Sequence, residues 1–434
     1  MHGVRFRKME FGVGAISTYW NHGVSAKMGK TGKQSMELKI MVAIVFFGRS
    51  SNPIMRTTAI VVLLAAIACG AQEQRFVYPV PAADAFTLRN DLVYKHAGEK
   101  ALGLDLFLPA DAARGRLPVL LIFNGFGGTF MRDSPQAQGW AKAATAHGFA
   151  AITVETTEGR VADDFDSLVD YLAKDADELH VDPERIAVIA WSGNGPSALS
   201  TVEDSRRKAV KAAIFLYGWG VAEVSQVRLD LPVLFVRAGL DQPEANRELD
   251  HVTAAGILAN APWTVLNYPG GRHGFDVLDD NDLSREIIDE AFHFAQSAMS
   301  DSHQAALRGG LAEANAAGAI ATGDFAKAVN LYRTIVAAHP GDARLLLAYG
   351  NALAGAMQYK EARAQFDRAK AIGGLGARDL GLPAARACAL DHDPEAAMAW
   401  LRGIPRQFLP AAVQSDPGFL SLKDRKDFRA LFQK

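Results

Sequence analysis

The sequence has few cysteines, little excess of either charge and no apolar run long enough for an ordinary membrane span. Only Cys69 and Cys388 occur among 434 residues, so neither a disulfide framework nor a zinc site with the usual ligand spacing is expected. The formal net charge of −2 argues against a general binder of nucleic acid or of anionic membranes. With 22% charged and 49% apolar residues, the chain is instead typical of a globular protein of two domains.

The first 71 residues predict a segment outside the fold. Met55 opens a short basic start, followed by an apolar run and small residues up to Ala71, which is the pattern of a secretory signal peptide over 55–71. We expect export to the periplasm or the exterior, with lipid attachment at Cys69 as an alternative because a poor lipobox precedes it. Residues 1–54 have no sustained period, so they are either an over-extended start before Met55 or a basic, disordered leader.

A serine with small neighbours follows a short apolar run. Ile186–Ala190 predicts a buried strand, and Ser192 comes next, with Ala190 and Asn194 two positions away on either side. A strand that turns sharply into a helix needs such small neighbours, as in the nucleophile elbow G-x-S-x-G. The elbow exposes the serine hydroxyl, and the Gly193 N–H points to the same place. An ordinary Ser-Gly turn is the alternative, since Asn194 replaces the second glycine.

Asp241 and His273 complete a predicted catalytic triad in the order nucleophile, acid, base. Asp241 follows the apolar strand Leu231–Arg237, and His273 follows the strand Trp263–Tyr268. Both residues lie just past the carboxyl end of a strand, as an α/β-hydrolase sheet requires. A serine hydroxyl needs an imidazole to accept its proton and a carboxylate to orient that imidazole.

Other residues are alternatives for these two roles. Asp241 also suits a turn or a helix cap, and Glu244 and Asp276 are nearby candidates for the acid. The loop that follows Tyr217, the other usual acid position, holds no carboxylate. The remaining candidate bases fall within predicted helices or at their ends, where a solvated or packed imidazole is the ordinary state: His147, His180, His251 and His293.

A glycine-rich loop predicts the second half of an oxyanion hole. The apolar strand ending at Phe123 runs into segment 124–128, which reads NGFGG. Acyl transfer builds a negative oxygen that two backbone donors must bind. One donor is the N–H of Gly193, and the other is expected from Phe126 or its neighbour Gly127. The loop lacks the lysine and the spacing of a phosphate-binding loop, and a simple connecting loop is the alternative.

Residues 85–301 resemble the dienelactone-hydrolase-like branch of the α/β-hydrolases. The NGFGG segment is similar to the oxyanion loop of that family, although Asn124 stands where a histidine is often found. Ala238–Asp241 and His273–Phe275 are similar to its acid and base motifs. The name-giving enzymes use a cysteine nucleophile, whereas Ser192 resembles the nucleophile of the esterase and acyl-peptidase members. The resemblance implies acyl chemistry that needs no metal or organic cofactor.

The pattern between the motifs predicts an α/β fold. Leu92–Lys95 and Leu102–Leu108 predict an antiparallel opening pair, and later strands alternate with helical patterns such as Pro135–Ala146. This spacing implies right-handed crossovers and a mostly parallel, doubly wound sheet. A helix over Ser284–Met299 is expected to close this domain.

A second, alanine-rich helical domain is predicted over 303–434. Residues of similar type recur every 34 positions: Ala328, Ala362 and Ala396, and also Tyr332, Phe366 and Trp400. This period resembles the tetratricopeptide repeat, with three units over 309–403, the third degenerate; chance spacing in an alanine-rich bundle is the alternative. Residues 410–434 predict a short capping helix pair. Such repeats form a concave groove that binds peptides or protein partners.

Together the motifs predict an exported serine hydrolase that cleaves a carboxylic ester, or less readily an amide, through an acyl-serine. We expect a small-molecule ester or acyl substrate, a protein or peptide partner in the repeat groove, and no nucleic-acid partner. A catalytically inactive hydrolase fold serving as a scaffold for the repeats is one alternative; it would gain if Trp191 or Trp219 filled the site. A serine peptidase of the prolyl-oligopeptidase type is another.

Overall fold

The computed structural model describes residues 75–98, 100–112, 115–218 and 227–433. The predicted leader, the predicted signal peptide and Cys69 lie outside these residues. In the described part of the chain, no helix is both long and apolar enough to cross a membrane.

Eight strands of the described chain form one sheet. They are β1 (Phe86–Ala97), β2 (Lys100–Pro109), β3 (Leu117–Ile122), β4 (Ala150–Val154), β5 (Val181–Trp191), β6 (Val210–Leu216), β7 (Val233–Ala238) and β8 (Trp263–Tyr268). Their order across the sheet is β1-β2-β4-β3-β5-β6-β7-β8. The β1–β2 and β2–β4 pairs are antiparallel, and the other pairs are parallel. The predicted antiparallel opening and mostly parallel sheet are confirmed.

Both faces of the central strands are buried, which explains why these strands are apolar at nearly every position. Val119 and Leu121 of β3 belong to one hydrophobic cluster, whereas Leu120 and Ile122 belong to a second. Successive side chains of a strand point to opposite faces, and parallel sheets are covered on both sides. The sheet is therefore doubly wound, as predicted.

Helices between the strands cover these two faces. The described helices of this part are α1 (Phe130–Asp133), α2 (Pro135–Ala146), α3 (Val161–Lys174), α4 (Ala176–Leu179), α5 (Gly195–Val202), α6 (Pro243–Leu258), α7 (Phe275–Leu278) and α8 (Asp282–Ala298). Trp140 of α2 and Phe292 of α8 pack into one cluster, and Leu168 of α3 and Leu249 of α6 pack into the other. The carboxyl ends of the parallel strands meet at one edge of the sheet, where the loops with the predicted site residues gather.

The bounds of α2 follow from its local sequence. The Ser134 hydroxyl accepts a hydrogen bond from the Ala137 N–H at 3.1 Å, and Pro135 occupies the first helical position, where a missing N–H costs nothing. Gly148 follows the helix with a φ of +77°, a left-handed conformation that commonly ends helices. The helix predicted over Pro135–Ala146 is thus confirmed at both ends.

The second part of the chain is helical. Its longer helices are α9 (Asp301–Ala321), α10 (Phe325–Ala338), α11 (Ala343–Gly355), α12 (Tyr359–Ile372), α13 (Ala377–Leu390) and α14 (Pro394–Arg402), and each packs on the next. Ala328, Ala362 and Phe366 of the 34-residue period are fully buried. A Cβ on Gly350 would lie 2.4 Å from Cε1 of Phe366, so the small residue admits the ring. This is the helix-pair packing predicted from the period.

The C-terminal cap differs from the predicted helix pair. It consists of three 3₁₀ helices, Arg406–Phe408, Ala411–Ser415 and Pro417–Leu422, followed by the short α15 (Lys426–Ala430). Proline has no N–H to donate, so Pro410 and Pro417 each interrupt helical hydrogen bonding. The described residues belong to one compact unit, so the predicted domain boundary near residue 302 stays a prediction.

Candidate active site

The turn between β5 and α5 has the geometry of a nucleophile elbow. Ser192 has a φ of +54°, in the left-handed region that non-glycine residues rarely adopt and that is common at functional sites. The 3₁₀ turn Ser192–Asn194 joins the strand to the helix. Ala190, two positions before Ser192, is buried, as the small residue expected there should be. The sharp turn expected from the sequence is present.

Asn194, which replaces the second glycine of the motif, links the elbow to the neighbouring loop. Its side chain is buried, and its Oδ1 accepts a hydrogen bond from the Gly125 N–H at 2.7 Å. Its Nδ2 donates to the carbonyl oxygen of Trp191 at 3.3 Å. The asparagine therefore ties the glycine-rich loop after β3 to the turn that carries Ser192.

Ser192, His273 and Asp241 lie in one hydrogen-bonded chain. Ser192 Oγ is 2.8 Å from His273 Nε2, and His273 Nδ1 is 2.8 Å from Asp241 Oδ2. A carboxylate beside Nδ1 favours a proton on that nitrogen, which leaves Nε2 free to accept the serine proton. The Asp241 side chain is almost completely buried, whereas 36% of the His273 side chain is exposed. The rival acid Glu244 is exposed and pairs with Arg247 at 2.7 Å.

The loops that carry the acid and the base are bonded to each other through their backbones. The Gly239 N–H donates to the Tyr268 carbonyl at 2.7 Å, and the Leu240 N–H donates to the Gly271 carbonyl at 2.9 Å. A Cβ on Gly239 would lie 2.4 Å from the carbonyl oxygen of Pro269. Only glycine permits this approach, so Gly239 sets the spacing between the acid loop and the base loop.

One predicted oxyanion donor, Gly193, lies in the elbow turn, and the candidates for the other lie in the loop after β3. Gly193 occupies the first turn of a helix, where N–H groups have no partner within the helix. The Phe126 N–H donates to Asn124 Oδ1 at 3.2 Å, whereas the Gly127 N–H donates no hydrogen bond to any described residue. The half-exposed Phe126 ring lies against Gly193, where an added Cβ would be 2.7 Å from its Cζ.

Asn124 stabilises the glycine-rich loop through hydrogen bonds. It is fully buried, and its Nδ2 donates to the carbonyl oxygens of Gly128 at 2.8 Å and Val154 at 3.2 Å. Thr156 Oγ1 in turn donates to the Asn124 carbonyl at 3.0 Å. The asparagine that stands in the usual histidine position thus fixes the loop to the end of β4.

Asp276, the other rival acid, belongs to a separate buried group behind His273. Its carboxylate accepts hydrogen bonds from Tyr217 Oη at 2.6 Å, Gln136 Nε2 at 2.7 Å and Trp140 Nε1 at 2.8 Å. Burial raises the pKa of Asp276, while these donors act in the opposite direction. Burial also raises the pKa of Tyr217 well above its usual value, which keeps the hydroxyl protonated. No local sequence pattern connects these partners, because they lie on separate segments of the chain.

The remaining predicted alternatives lie outside the hydrogen-bonded chain. His147 stacks on Phe292 with ring centroids 4.2 Å apart, and His293 pairs with Asp289 at 3.2 Å. Trp191 is buried in the core beneath the sheet edge, and Trp219 lies outside the described residues. Across the described ranges, no group of three or more His, Cys, Asp or Glu side chains could hold a metal ion.

Comparisons with known proteins identify both parts of the chain. Residues 113–307 match the dienelactone hydrolase family, and residues 319–374 match a tetratricopeptide repeat. A search of the curated proteins returned no match. The chain thus carries an α/β-hydrolase domain of the dienelactone hydrolase family followed by a tetratricopeptide repeat, which confirms the resemblance inferred from the motifs.

Solved structures of other hydrolases are similar to this chain. A bacterial heroin esterase is 19% identical, covers 61% of this chain and 98% of its own, and has a TM-score of 0.42. Esterase B from Lactobacillus rhamnosis is 11% identical, covers 57% of this chain and 98% of its own, and has a TM-score of 0.45. An alpha/beta hydrolase from a Medee basin deep-sea metagenome library is 17% identical, covers 50% of this chain and 99% of its own, and has a TM-score of 0.40.

Proposed function

Because residues 113–307 form a dienelactone hydrolase family domain, we propose that the protein is an exported serine hydrolase that cleaves carboxylic esters through an acyl-serine intermediate. The observation that carries this proposal is the chain of two 2.8 Å contacts from Ser192 Oγ through His273 to Asp241. These distances suit proton transfer from the hydroxyl to the imidazole without rearrangement.

Acylation begins with attack by Ser192 Oγ on the ester carbonyl carbon. The hydroxyl proton passes to His273 Nε2, and Asp241 Oδ2 accepts the hydrogen bond from the Nδ1–H of the resulting imidazolium. As the tetrahedral intermediate collapses, the bond from the carbonyl carbon to the alkoxy oxygen breaks. His273 returns the proton to that oxygen, so the alcohol leaves neutral and the acyl group stays on Ser192.

Deacylation repeats these steps with water. His273 Nε2 takes a proton from a water molecule, whose oxygen attacks the acyl carbonyl carbon. The bond to Ser192 Oγ breaks, the proton returns to the serine, and the carboxylic acid is released. The half-exposed imidazole is consistent with access of water to this step.

The developing oxyanion requires two donors already aimed at it. The Gly193 N–H donates no hydrogen bond to a described residue, so it is available to serve as one. Phe126 is the proposed second donor, and its N–H must exchange the Asn124 Oδ1 acceptor for the substrate oxygen. The neighbouring Gly127 N–H donates no hydrogen bond to a described residue. It is therefore the alternative candidate for the second oxyanion donor, since it would not have to break an existing hydrogen bond.

Export and partner binding complete the proposal. Export rests on the signal-peptide pattern of residues 55–71, with lipid attachment at Cys69 as its alternative form. The repeat at 319–374 supports a protein or peptide partner, because stacked helix pairs of this kind form concave binding surfaces.

A fluorophosphonate probe tests the catalytic proposal. The wild-type protein should be labelled covalently on Ser192 and should hydrolyse p-nitrophenyl esters, while Ser192→Ala should lose both the label and the activity. Ser200→Ala is the matched control, because Ser200 lies exposed on the same α5 helix and should leave both signals intact. A folded wild-type protein that takes no label and hydrolyses no ester would refute the enzyme proposal in favour of a scaffold.

A further inference from the structure

The buried polar group behind the base has no role in the steps above. Tyr217 connects this group to the base. Its ring lies against the imidazole of His273, with ring centroids 4.8 Å apart, and its hydroxyl donates a hydrogen bond to Asp276. We propose that Tyr217 and Asp276 are positioning residues, which hold the His273 ring in the relay and set the charge beside it. This inference rests on the proposed function and adds the device that orients its base.

The hydrogen bonds around Asp276 favour the ionised carboxylate. Gln136 Nε2 donates one hydrogen to Asp276 Oδ2 and the other to Tyr217 Oη, at 2.7 Å each. Because the tyrosine oxygen already accepts from Gln136, its own hydrogen is directed to Asp276 Oδ1. Trp140 Nε1 can only donate. Three donors therefore converge on one carboxyl group, which is the arrangement that stabilises its charged form.

Tyr217 is held in an unusual backbone conformation. Its φ is +35°, outside the regions that suit a bulky aromatic residue, and it is the first residue after β6. Such strain persists only where the surrounding structure over-determines it. Here the hydroxyl is bonded to Asp276 and Gln136, and Phe275 packs edge-on against the ring with centroids 5.5 Å apart. The strained residue is thus fixed at the spot where it supports the imidazole.

The helix that follows His273 is fixed from several directions. The Asp276 carbonyl of α7 accepts a hydrogen bond from the Val77 N–H at 2.9 Å, while the Asp276 side chain is bonded to α2 and to the end of β6. The fully buried Phe275 anchors the same helix. Movement of the base would therefore require breaking contacts with three separate segments.

In the described part of the chain, few charged side chains lie near the imidazole. Asp241 faces His273 from the loop after β7, Tyr217 faces it from the end of β6, and Asp276 lies on α7. Arg272, the nearest cation along the chain, pairs with Asp279, and no described residue supplies a cation to Asp276. When it is ionised, Asp276 adds a second negative charge near the base, and this charge stabilises the imidazolium that forms during both halves of the reaction.

Two substitutions separate charge from position. Asp276→Asn keeps the size of the side chain but removes its charge; kcat should fall about tenfold with little change in KM, because the base acts only in the chemical step. The acidic limb of kcat/KM should also move to lower pH by about half a unit or more. Tyr217→Phe keeps the ring and the charge but removes the hydroxyl, so kcat should fall while the acidic limb stays in place.

The control is Glu203→Gln. Burial raises the pKa of Glu203 to about 7, so this carboxyl titrates within the assay range, yet it lies at the far end of α5 from Ser192. Its substitution should leave kcat and the acidic limb unchanged. If Asp276→Asn fails to fold, the Tyr217→Phe variant tests the proposal by itself. A folded Tyr217→Phe protein with wild-type kcat would overturn the proposal. Wild-type kinetics in both variants would overturn it as well.

A titration keeps this inference separate from the proposed reaction. The ¹⁵N resonances of His273, identified by their loss in His273→Gln, should titrate at lower pH in Asp276→Asn than in the wild type. An unchanged midpoint would overturn the proposal that Asp276 sets the charge beside His273, even in an active enzyme. An inactive wild-type protein would refute the proposed function, while a shifted midpoint would still support the arrangement around the base.

Discussion

At the scale of single residues, two asparagines take positions where the motifs usually have another residue. Asn194 replaces a glycine and bonds the elbow to Gly125, and Asn124 replaces a histidine and bonds the oxyanion loop to Gly128 and Val154. Both amides are buried and use their donors and their acceptor, as buried polar groups generally must. These departures therefore add bonds between the loops that surround Ser192.

The choice of acid is a single-residue question with a direct test. Asp241→Asn should lower kcat by about 10³- to 10⁴-fold, because an amide beside Nδ1 favours the wrong tautomer of His273. Steady-state hydrolysis of a p-nitrophenyl ester at saturating substrate measures the effect. Glu244→Gln is the control, since Glu244 is exposed and pairs with Arg247; full activity in Asp241→Asn would exclude Asp241 as the acid.

Residue identities predicted which three side chains meet, but not what surrounds them. Ser192, Asp241 and His273 each follow a strand, so their chain order and positions pointed to one sheet edge. Asp276 was a rival acid on sequence grounds, because only spacing along the chain was available. Its bonds to Tyr217, Gln136 and Trp140 come from segments up to 140 residues apart, and no local pattern connects them.

At the scale of elements, the loops after β7 and β8 act as one unit. The Gly239 and Leu240 N–H groups donate to the neighbouring loop, and the missing side chain of Gly239 permits that contact. This close packing sets the distance between Asp241 and His273. The strands supply only the general position of the two side chains.

A glycine pair tests this coupling. Gly239→Ala would place a Cβ 2.4 Å from the Pro269 carbonyl oxygen, so we expect a loss of about 1–3 kcal/mol in the free energy of unfolding together with reduced kcat. In Gly270→Ala the atom nearest to the new Cβ, on Tyr268, would be 3.8 Å away. The free energy of unfolding and kcat should therefore stay at their wild-type values in this variant. Urea unfolding and ester hydrolysis measure the two effects; equal behaviour of both variants would disprove the coupling.

The bounds of helices and strands follow from the sequence where the local pattern is clear, but not at the C-terminal cap. The strand predicted over Trp263–Tyr268 and the helix predicted over Pro135–Ala146 have the observed bounds. The pattern of the C-terminal cap predicts a helix pair, but the cap forms mainly 3₁₀ helices. Its prolines interrupt α-helical hydrogen bonding, and the burial of Phe419 and Phe428 determines the path of the backbone there.

At the scale of the whole molecule, the described chain has separate hydrophobic clusters. Two lie against the sheet, and two lie among the helices that follow residue 302. The repeat cluster is built from paired small and large residues, such as Gly350 with Phe366. Because the clusters share no buried residue, damage to one should leave the packing of the others in place.

Two glycines in the repeats test this independence. Gly350→Ala should cost about 1–3 kcal/mol, because its Cβ would meet the buried Phe366 ring. Gly318→Ala in α9, where nothing lies within 4 Å, should instead stabilise the protein by about 0.5–1 kcal/mol. Thermal unfolding followed by circular dichroism measures both. Ester hydrolysis should stay at the wild-type level in each variant; its loss in Gly350→Ala would show that the repeats support the catalytic domain.

The amino-acid sequence alone determined the fold class, the chain order of the three candidate residues and the repeat period, because each depends on short-range patterns: apolar runs for buried strands, small residues at a sharp turn, and recurring alanines and aromatics between helices. The tertiary structure decided which carboxylate meets His273, which N–H groups near Ser192 donate to no described residue, and how the Tyr217 ring lies against the imidazole while its hydroxyl is bonded to Asp276. Those outcomes depend on distances of a few ångströms between segments far apart in the chain, and such distances exist only after the sheet has brought the segments together.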